Sequence, residues 1–87
     1  MTVSSSRRDQ FEAILGEIDG FPDADRQEVL LLVEHNEDEL ALELLATQVY
    51  EFELSMGQPA FAKLENLAKS LAVSDRLLQL IREELVV

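Results

Sequence analysis

The chain of 87 residues contains no cysteine and a single histidine, His35. Without a thiol it cannot form a disulfide, a thiolate nucleophile or a Cys-ligated metal site. One imidazole is too few for a multi-histidine metal site, and any catalytic triad would depend on that same side chain. We therefore expect a protein that is not an enzyme and that uses no metal or other cofactor.

Long hydrophobic runs and glycine-rich loops are also missing. The longest apolar run before the C-terminus covers residues 29–33, far short of the ~20 residues needed to cross a bilayer. Residues 1–8 are polar and lack the apolar region of a secretory signal, so we expect a cytoplasmic protein that does not bind membranes. The three glycines are too scattered for a phosphate-binding loop, and the acidic residues lack the spacing of an EF-hand.

Basic residues are scarce, since 7 Lys and Arg stand against 18 Asp and Glu, a formal net charge of −11. Residues 1–57 hold fourteen acids and three bases, whereas residues 58–87 hold four of each. The stretch 27–62 has no Lys or Arg and carries eight acids: Glu28, Glu34, Glu37, Asp38, Glu39, Glu43, Glu51 and Glu53. Direct binding to nucleic acid is disfavoured, because Lys and Arg supply the affinity for phosphates. A positively charged protein partner is favoured.

Hydrophobic residues make up 47% of the chain, and their spacing is helical. Phe11, Ile14, Leu15 and Ile18, for example, follow the i, i+3, i+4, i+7 pattern of one helix face. Together with breakers and caps, this pattern predicts helices over about 7–19, 23–36, 37–55, 59–72 and 75–86, and no segment alternates like a strand. The predicted fold is all-α, a compact bundle of four to five short helices forming one domain over 1–87, with residues 1–5 flexible.

Local signals predict how several helices begin and end. Ser6 and Asp9 have the spacing of a capping box at the start of the first helix. Asn36 is suited to close the second helix in the left-handed conformation, and we expect it also to cap the third. His35 is expected to contact the last carbonyls of the second helix, with a titrating switch or a ligand as the alternative. Ser74 is expected to cap the fifth helix.

The predicted rotation of the third helix determines which of its side chains could face a partner. At about 100° per residue, its predicted inward half is Leu40, Ala41, Leu44, Leu45, Gln48, Val49 and Phe52. The predicted outward stripe is Glu39, Glu43, Ala46, Tyr50 and Glu53. The core is predicted to centre on Leu30, Val33, Leu44, Leu45, Phe52, Phe61, Leu64 and Leu78.

Acidic side chains concentrated on one part of a surface favour a binding face. Like charges four residues apart, such as Glu39 and Glu43, repel each other at some cost to the helix. A solvated surface that keeps the protein soluble is the alternative explanation. Tyr50 is expected to be an amphipathic anchor on a partner, unless its ring packs against a neighbouring helix of the same bundle. The predicted partner-binding residues are Glu34, Glu37, Asp38, Glu39, Glu43, Tyr50 and Glu53.

One stretch of the chain resembles a known family. The segments 34–37 (Glu-His-Asn-Glu), 41–43 (Ala-Leu-Glu) and 48–51 (Gln-Val-Tyr-Glu) are similar to the MafI-type immunity proteins of bacterial polymorphic toxin and contact-dependent inhibition systems. The likeness covers about residues 24–73, and Asn36 stands where the family favours glycine. It implies a cytoplasmic antitoxin that neutralises a cognate toxin domain, commonly a nuclease. Such a protein occupies the active site or blocks it from beside.

A second class of function stays open. An acidic helical adaptor or assembly protein could dock on a basic housekeeping partner by the same electrostatics. A homo-oligomer formed through the apolar C-terminal helix is compatible with either function. Gene position separates the two functions, because an immunity gene lies directly downstream of its toxin gene.

Overall fold

The computed structural model describes residues 6–73 and 76–87. These residues form five helices: α1 (Arg7–Gly16), α2 (Asp23–Glu34), α3 (Asp38–Glu51), α4 (Gln58–Ser70) and α5 (Arg76–Glu84). The all-α prediction is confirmed. The one pairing of extended backbone in this part of the chain is an isolated parallel bridge between Met56 and Val86. The expected flexibility of residues 1–5 and the expected cap at Ser74 concern residues outside the described ones.

Each of the first three helices packs beside its neighbour in sequence. α2 contacts both α1 and α3, α1 also contacts α4, and α3 also contacts α5. The three-residue connection 35–37 makes α2 and α3 an antiparallel hairpin. The hairpin therefore lies in the middle of the bundle. None of the helices within the described residues combines the length and apolar composition needed to cross a membrane.

The core is made of apolar side chains from all five helices. Of the predicted core, Val33, Leu45, Phe61, Leu64 and Leu78 are buried, and Leu30 and Leu44 are half-buried against the core. Phe52 is wrongly predicted, since it is 53% exposed. Met56, which follows α3, is fully buried and bonds through its backbone to Leu85 and Val87. The C-terminus is thus tied to the α3–α4 connection.

The predicted capping box of α1 and the predicted end of α2 at His35 and Asn36 are confirmed. Ser6 Oγ accepts from the backbone N–H of Asp9 at 3.1 Å, and the Asp9 carboxylate accepts from the Ser6 N–H at 3.4 Å. At the end of α2, His35 Nδ1 lies 2.8 Å from the carbonyl oxygen of Leu31, and Asn36 has φ of 60°. Asn36 does not cap α3, because its backbone already closes α2. The N-cap of α3 is Glu37, which makes no side-chain cap bond.

Three helices end in the same Schellman motif, in which a residue of positive φ is followed by an N–H that reaches back to a carbonyl of the last turn. The N–H groups of Glu37, Leu54 and Val73 donate to the carbonyls of Leu32, Val49 and Ala68, at 2.8, 2.9 and 2.9 Å. The positive-φ residues are Asn36, Glu53 and Ala72, at 60°, 50° and 55°. Glycine is the usual residue there. Because α3 and α4 end without it, the sequence predicted both helices too long.

The rotation of α3 differs from the predicted one. Its buried residues are Ala41, Leu42, Leu45, Ala46 and Val49. Ala46, predicted to face outward, is fully buried, whereas Leu40, predicted to face inward, is 49% exposed. The apolar residues of the segment 40–46 cover more than half of the circumference of α3, so periodicity leaves the rotation open. Packing against both α2 and α5 then buries the alanine-containing face, since small side chains allow close approach of helices.

Candidate functional site

Four of the predicted partner-binding acids lie at the turn of the α2–α3 hairpin. Glu34 is the last residue of α2, Glu37 is the N-cap of α3, and Asp38 and Glu39 belong to the first turn of α3. Asp38 and Glu39 are favourable there because a helix N-terminus carries partial positive charge, whereas Glu34 lies at the negative end of α2. Glu43 follows one turn later. The structure therefore brings these five residues together at one end of the bundle.

Two of these acids already have basic partners from α1. Arg8 forms an ion pair and a hydrogen bond with Glu34, and a second ion pair with Glu12 at 3.4 Å. Arg7 Nε lies 3.4 Å from the carboxylate of Asp38. The hydrogen bond that Arg8 donates to the Glu34 carboxylate, aided by the negative charge of that group, raises the pKa of Arg8 above its ordinary value. These contacts fasten the hairpin turn to the start of α1 and neutralise part of its charge.

The remaining acids keep their charge uncompensated. Glu37, Glu39, Glu43 and Glu53 are exposed, and no ion pair to them exists within the described residues. The third arginine of residues 1–57, Arg26, is half-buried and directs its guanidinium to the Leu15 carbonyl at the end of α1, at 3.5 Å. Each of the three arginines of this part of the chain thus contacts an acceptor within the chain, although Nε of Arg26 is buried without a hydrogen-bond partner. The outer surface of the hairpin stays negative.

Tyr50 and Glu53 do not join this group. Tyr50 is half-buried and packs against the core, which agrees with the alternative prediction that its ring packs within its own bundle. Glu53 lies beyond the end of α3, and the 14 residues of this helix span about 21 Å. It therefore lies at the opposite end of the bundle from Glu37. The predicted outward stripe is not one continuous surface, because Ala46 within it is fully buried.

Sequence reasoning missed two exposed leucines on the hairpin. Leu31 of α2 is 51% exposed, and Leu40 of α3 is 49% exposed. We call them the leucine pair. Each has an exposed glutamate three residues before it and three residues after it: Glu28 and Glu34 around Leu31, and Glu37 and Glu43 around Leu40. The available signal was this repeated Glu-x-x-Leu-x-x-Glu spacing. The apolar run 29–33 obscures this spacing, because a run that is apolar on every side of a helix is typical of a helix buried on all sides.

Two open grooves lie elsewhere on the bundle. One, of about 720 Å³, runs between α1 and α4, where Lys63 forms an ion pair with Glu17. The other, of about 600 Å³, runs between α4 and α5, where Arg82 pairs with Glu65 at 3.3 Å. Both are lined by charges of both signs, unlike the hairpin. Over residues 6–73 and 76–87, no three acidic or imidazole side chains converge as a metal site would require.

The hairpin surface has the chemistry of a site that binds a protein. Exposed carboxylates attract a cationic partner, and exposed leucines gain free energy when a partner covers them. The two grooves lack this combination, because they are lined by charges of both signs and by none of the exposed leucines. Comparison with known proteins found no matching family model, no matching curated protein and no matching solved structure.

Proposed function

We propose that this protein is an immunity protein that binds and neutralises a cognate basic toxin domain, a nuclease, through the acidic surface of the α2–α3 hairpin. The observation that carries the proposal is the set of exposed carboxylates Glu37, Glu39 and Glu43, which have no ion-pair partner among the described residues. The nearby arginines of α1 pair with Glu34 and Asp38 instead, and the one arginine of the hairpin points to a carbonyl of α1. The resemblance of segments 34–37, 41–43 and 48–51 to MafI-type immunity proteins supports the same function.

The physical reason lies in what a nuclease must do. Its active site attracts phosphates with Lys, Arg or protonated His, so the surface around it is positively charged. A rigid acidic helix pair can occupy that surface in place of the substrate, and long-range attraction speeds the encounter. Binding directly in the active site and binding beside it both prevent access of nucleic acid. Either mode requires acids that are not neutralised within the immunity protein itself.

The direct test is co-expression with the toxin domain encoded immediately upstream. We expect a one-to-one complex on size-exclusion chromatography and loss of nuclease activity at equimolar immunity protein. An unrelated basic ribonuclease is the control, because unspecific charge attraction would inhibit both enzymes. Failure to bind the neighbouring toxin would contradict the proposal. It would favour the acidic adaptor, whose basic partner is a housekeeping protein.

A further inference from the structure

Exposing the leucine pair to water costs free energy, and the fold does not need these two side chains to fill its core. Leu31 and Leu40 are each about half exposed, whereas the core is already filled by their neighbours Val29, Val33 and Leu42. Single exposed leucines are common on protein surfaces. Here, however, two leucines on adjacent helices have the same glutamate spacing on both sides.

Helix geometry places the two leucines at the same end of the hairpin, each on the side of its helix opposite to the buried residues. Leu31 lies three residues before the end of α2, and Leu40 lies two residues after the start of α3. At 1.5 Å per residue, both are within about 5 Å of the hairpin turn along the helix axes. The axes of packed helices are about 8–10 Å apart, which two leucine side chains can bridge. Residues three apart share a helix face, so the flanking glutamates surround this apolar centre.

We propose that the leucine pair is the centre of the docking surface and that its occupant is a basic amphipathic helix of the partner protein, with apolar side chains set between Lys or Arg residues. Charge complementarity selects this occupant: Glu28, Glu37 and Glu43 are exposed and have no ion-pair partner among the described residues. A second copy of this chain would place glutamates against glutamates. The apolar centre and charged rim follow the usual division of an interface into hot spot and surround.

This inference rests on the proposed function for the basic character of the partner, and it adds the position and chemistry of the contact. The probe is a synthetic helical peptide of about 18 residues, with leucines on one face and lysines flanking them. Titration of the ¹⁵N-labelled full chain is expected to shift amide signals around residues 28–43. Leu31→Gln with Leu40→Gln is expected to weaken peptide binding roughly tenfold or more. Glutamine keeps helix propensity close to that of leucine.

Matched controls isolate the leucine pair. Phe52→Gln removes an equally exposed apolar side chain at the other end of α3 and is expected to leave the affinity unchanged. A peptide with its leucines replaced by serine keeps the charge and is expected to bind about tenfold more weakly or worse. Thermal melts check that the variants fold, and single substitutions replace the double variant if it melts early.

The proposal is overturned if the wild-type chain does not bind the peptide, if the double variant binds it equally well, or if the serine peptide binds as tightly. Self-association of the wild-type chain that disappears in the double variant would identify a second copy as the occupant and also overturn it. The neighbouring toxin separates this inference from the proposed function. A toxin that binds wild type and double variant equally overturns the docking surface alone. A peptide that needs the leucines while the toxin never binds overturns the immunity function alone.

Discussion

The guanidinium of Arg7 lies 3.4 Å from the carboxylate of Asp38, an ion pair that joins the start of α1 to the start of α3. The same guanidinium donates a hydrogen bond to Ser70 Oγ at the end of α4, at 2.9 Å. One side chain thus connects three helices at the hairpin end of the bundle. It also fixes the orientation of an acid in the predicted binding group.

Replacing Arg7 is expected to loosen this end of the bundle. Exposed ion pairs contribute little, but the hydrogen bond to Ser70 adds to the contact with Asp38. We expect Arg7→Ala to lower the free energy of unfolding by about 1 kcal/mol, measured by urea denaturation. Arg76→Ala is the control, because this exposed arginine occupies the first turn of α5, where a cation is unfavourable. Equal losses in both variants would show that the three-helix contact has no net effect.

The rotation of α3 is tested by two leucines on the same helix. Leu42 is fully buried and Leu40 is 49% exposed. We expect Leu42→Ala to destabilise the protein by ~2–5 kcal/mol, because it leaves a cavity in the core. Leu40→Ala is expected to cost less than ~1 kcal/mol. The predicted rotation placed Leu40 in the inward half and did not include Leu42 there, so chemical denaturation of the two variants decides between the two rotations.

The features that could be predicted depend on local chemistry. Five helices follow from apolar spacing, and the capping box of Ser6 and Asp9 follows from two residues in contact. The ends of α3 and α4 could not be placed, because Glu53 and Ala72 take a conformation that their side chains disfavour. Leu54 and Val73 pack against the core directly after these residues. Tertiary burial of a nearby apolar side chain therefore helps to fix the helix end.

For the candidate site, too, the sequence predicts the local charge pattern but not the contacts that depend on tertiary packing. The absence of Lys and Arg in residues 27–62 locates the acidic hairpin without any structure. The pairing of Glu34 and Asp38 with the α1 arginines depends on how α1 packs, which no local pattern contains. The position of Tyr50 depends on the rotation of α3, and its half-burial follows from the same packing that exposes Leu40.

Relieving the backbone at Ala72 is expected to stabilise the protein. Its φ of 55° costs an L-residue about 1–2 kcal/mol, whereas glycine adopts it freely. Part of that gain is lost to the greater freedom of glycine in the unfolded chain, so we expect Ala72→Gly to add about 0.5–1 kcal/mol in thermal or urea denaturation.

Gly20→Ala is the reverse control for this effect. Gly20 has φ of 85°, and an added Cβ would lie 3.4 Å from a methyl carbon of Leu54. We expect this variant to lose stability. If Ala72→Gly were destabilising, the left-handed conformation at the end of α4 would not carry the cost assigned to it.

The burial of Tyr50 predicts a stability effect in addition to any effect on binding. Because the ring packs against the core, Tyr50→Ala is expected to lower the free energy of unfolding by about 1–2 kcal/mol, less than for a fully buried aromatic residue. Tyr50→Phe keeps the ring and is expected to keep most of the stability. Toxin affinity measured well below the melting temperature separates the two roles. An unchanged affinity for the alanine variant would show that the ring serves the fold alone.

Association with a basic toxin domain is expected to depend steeply on salt. The net charge of −11 resides in residues 1–57, and screening at higher ionic strength shortens the range of its attraction. Stopped-flow measurements between ~0.05 and ~0.5 M salt are expected to show a falling association rate constant. Glu43→Lys is expected to slow association and to flatten this dependence, because it reverses an exposed charge beside Leu40.

Glu84→Lys makes the same change in net charge on the exposed end of α5 and is the matched control. Steering by the hairpin requires the Glu43 variant to be slower than the Glu84 variant at low salt. Both variants are expected to converge at high salt, where the Debye length falls to about 3–5 Å and only contacts at the interface remain effective. Equal rates for both variants at low salt would mean that the total charge attracts the toxin, and that the hairpin does not orient its approach.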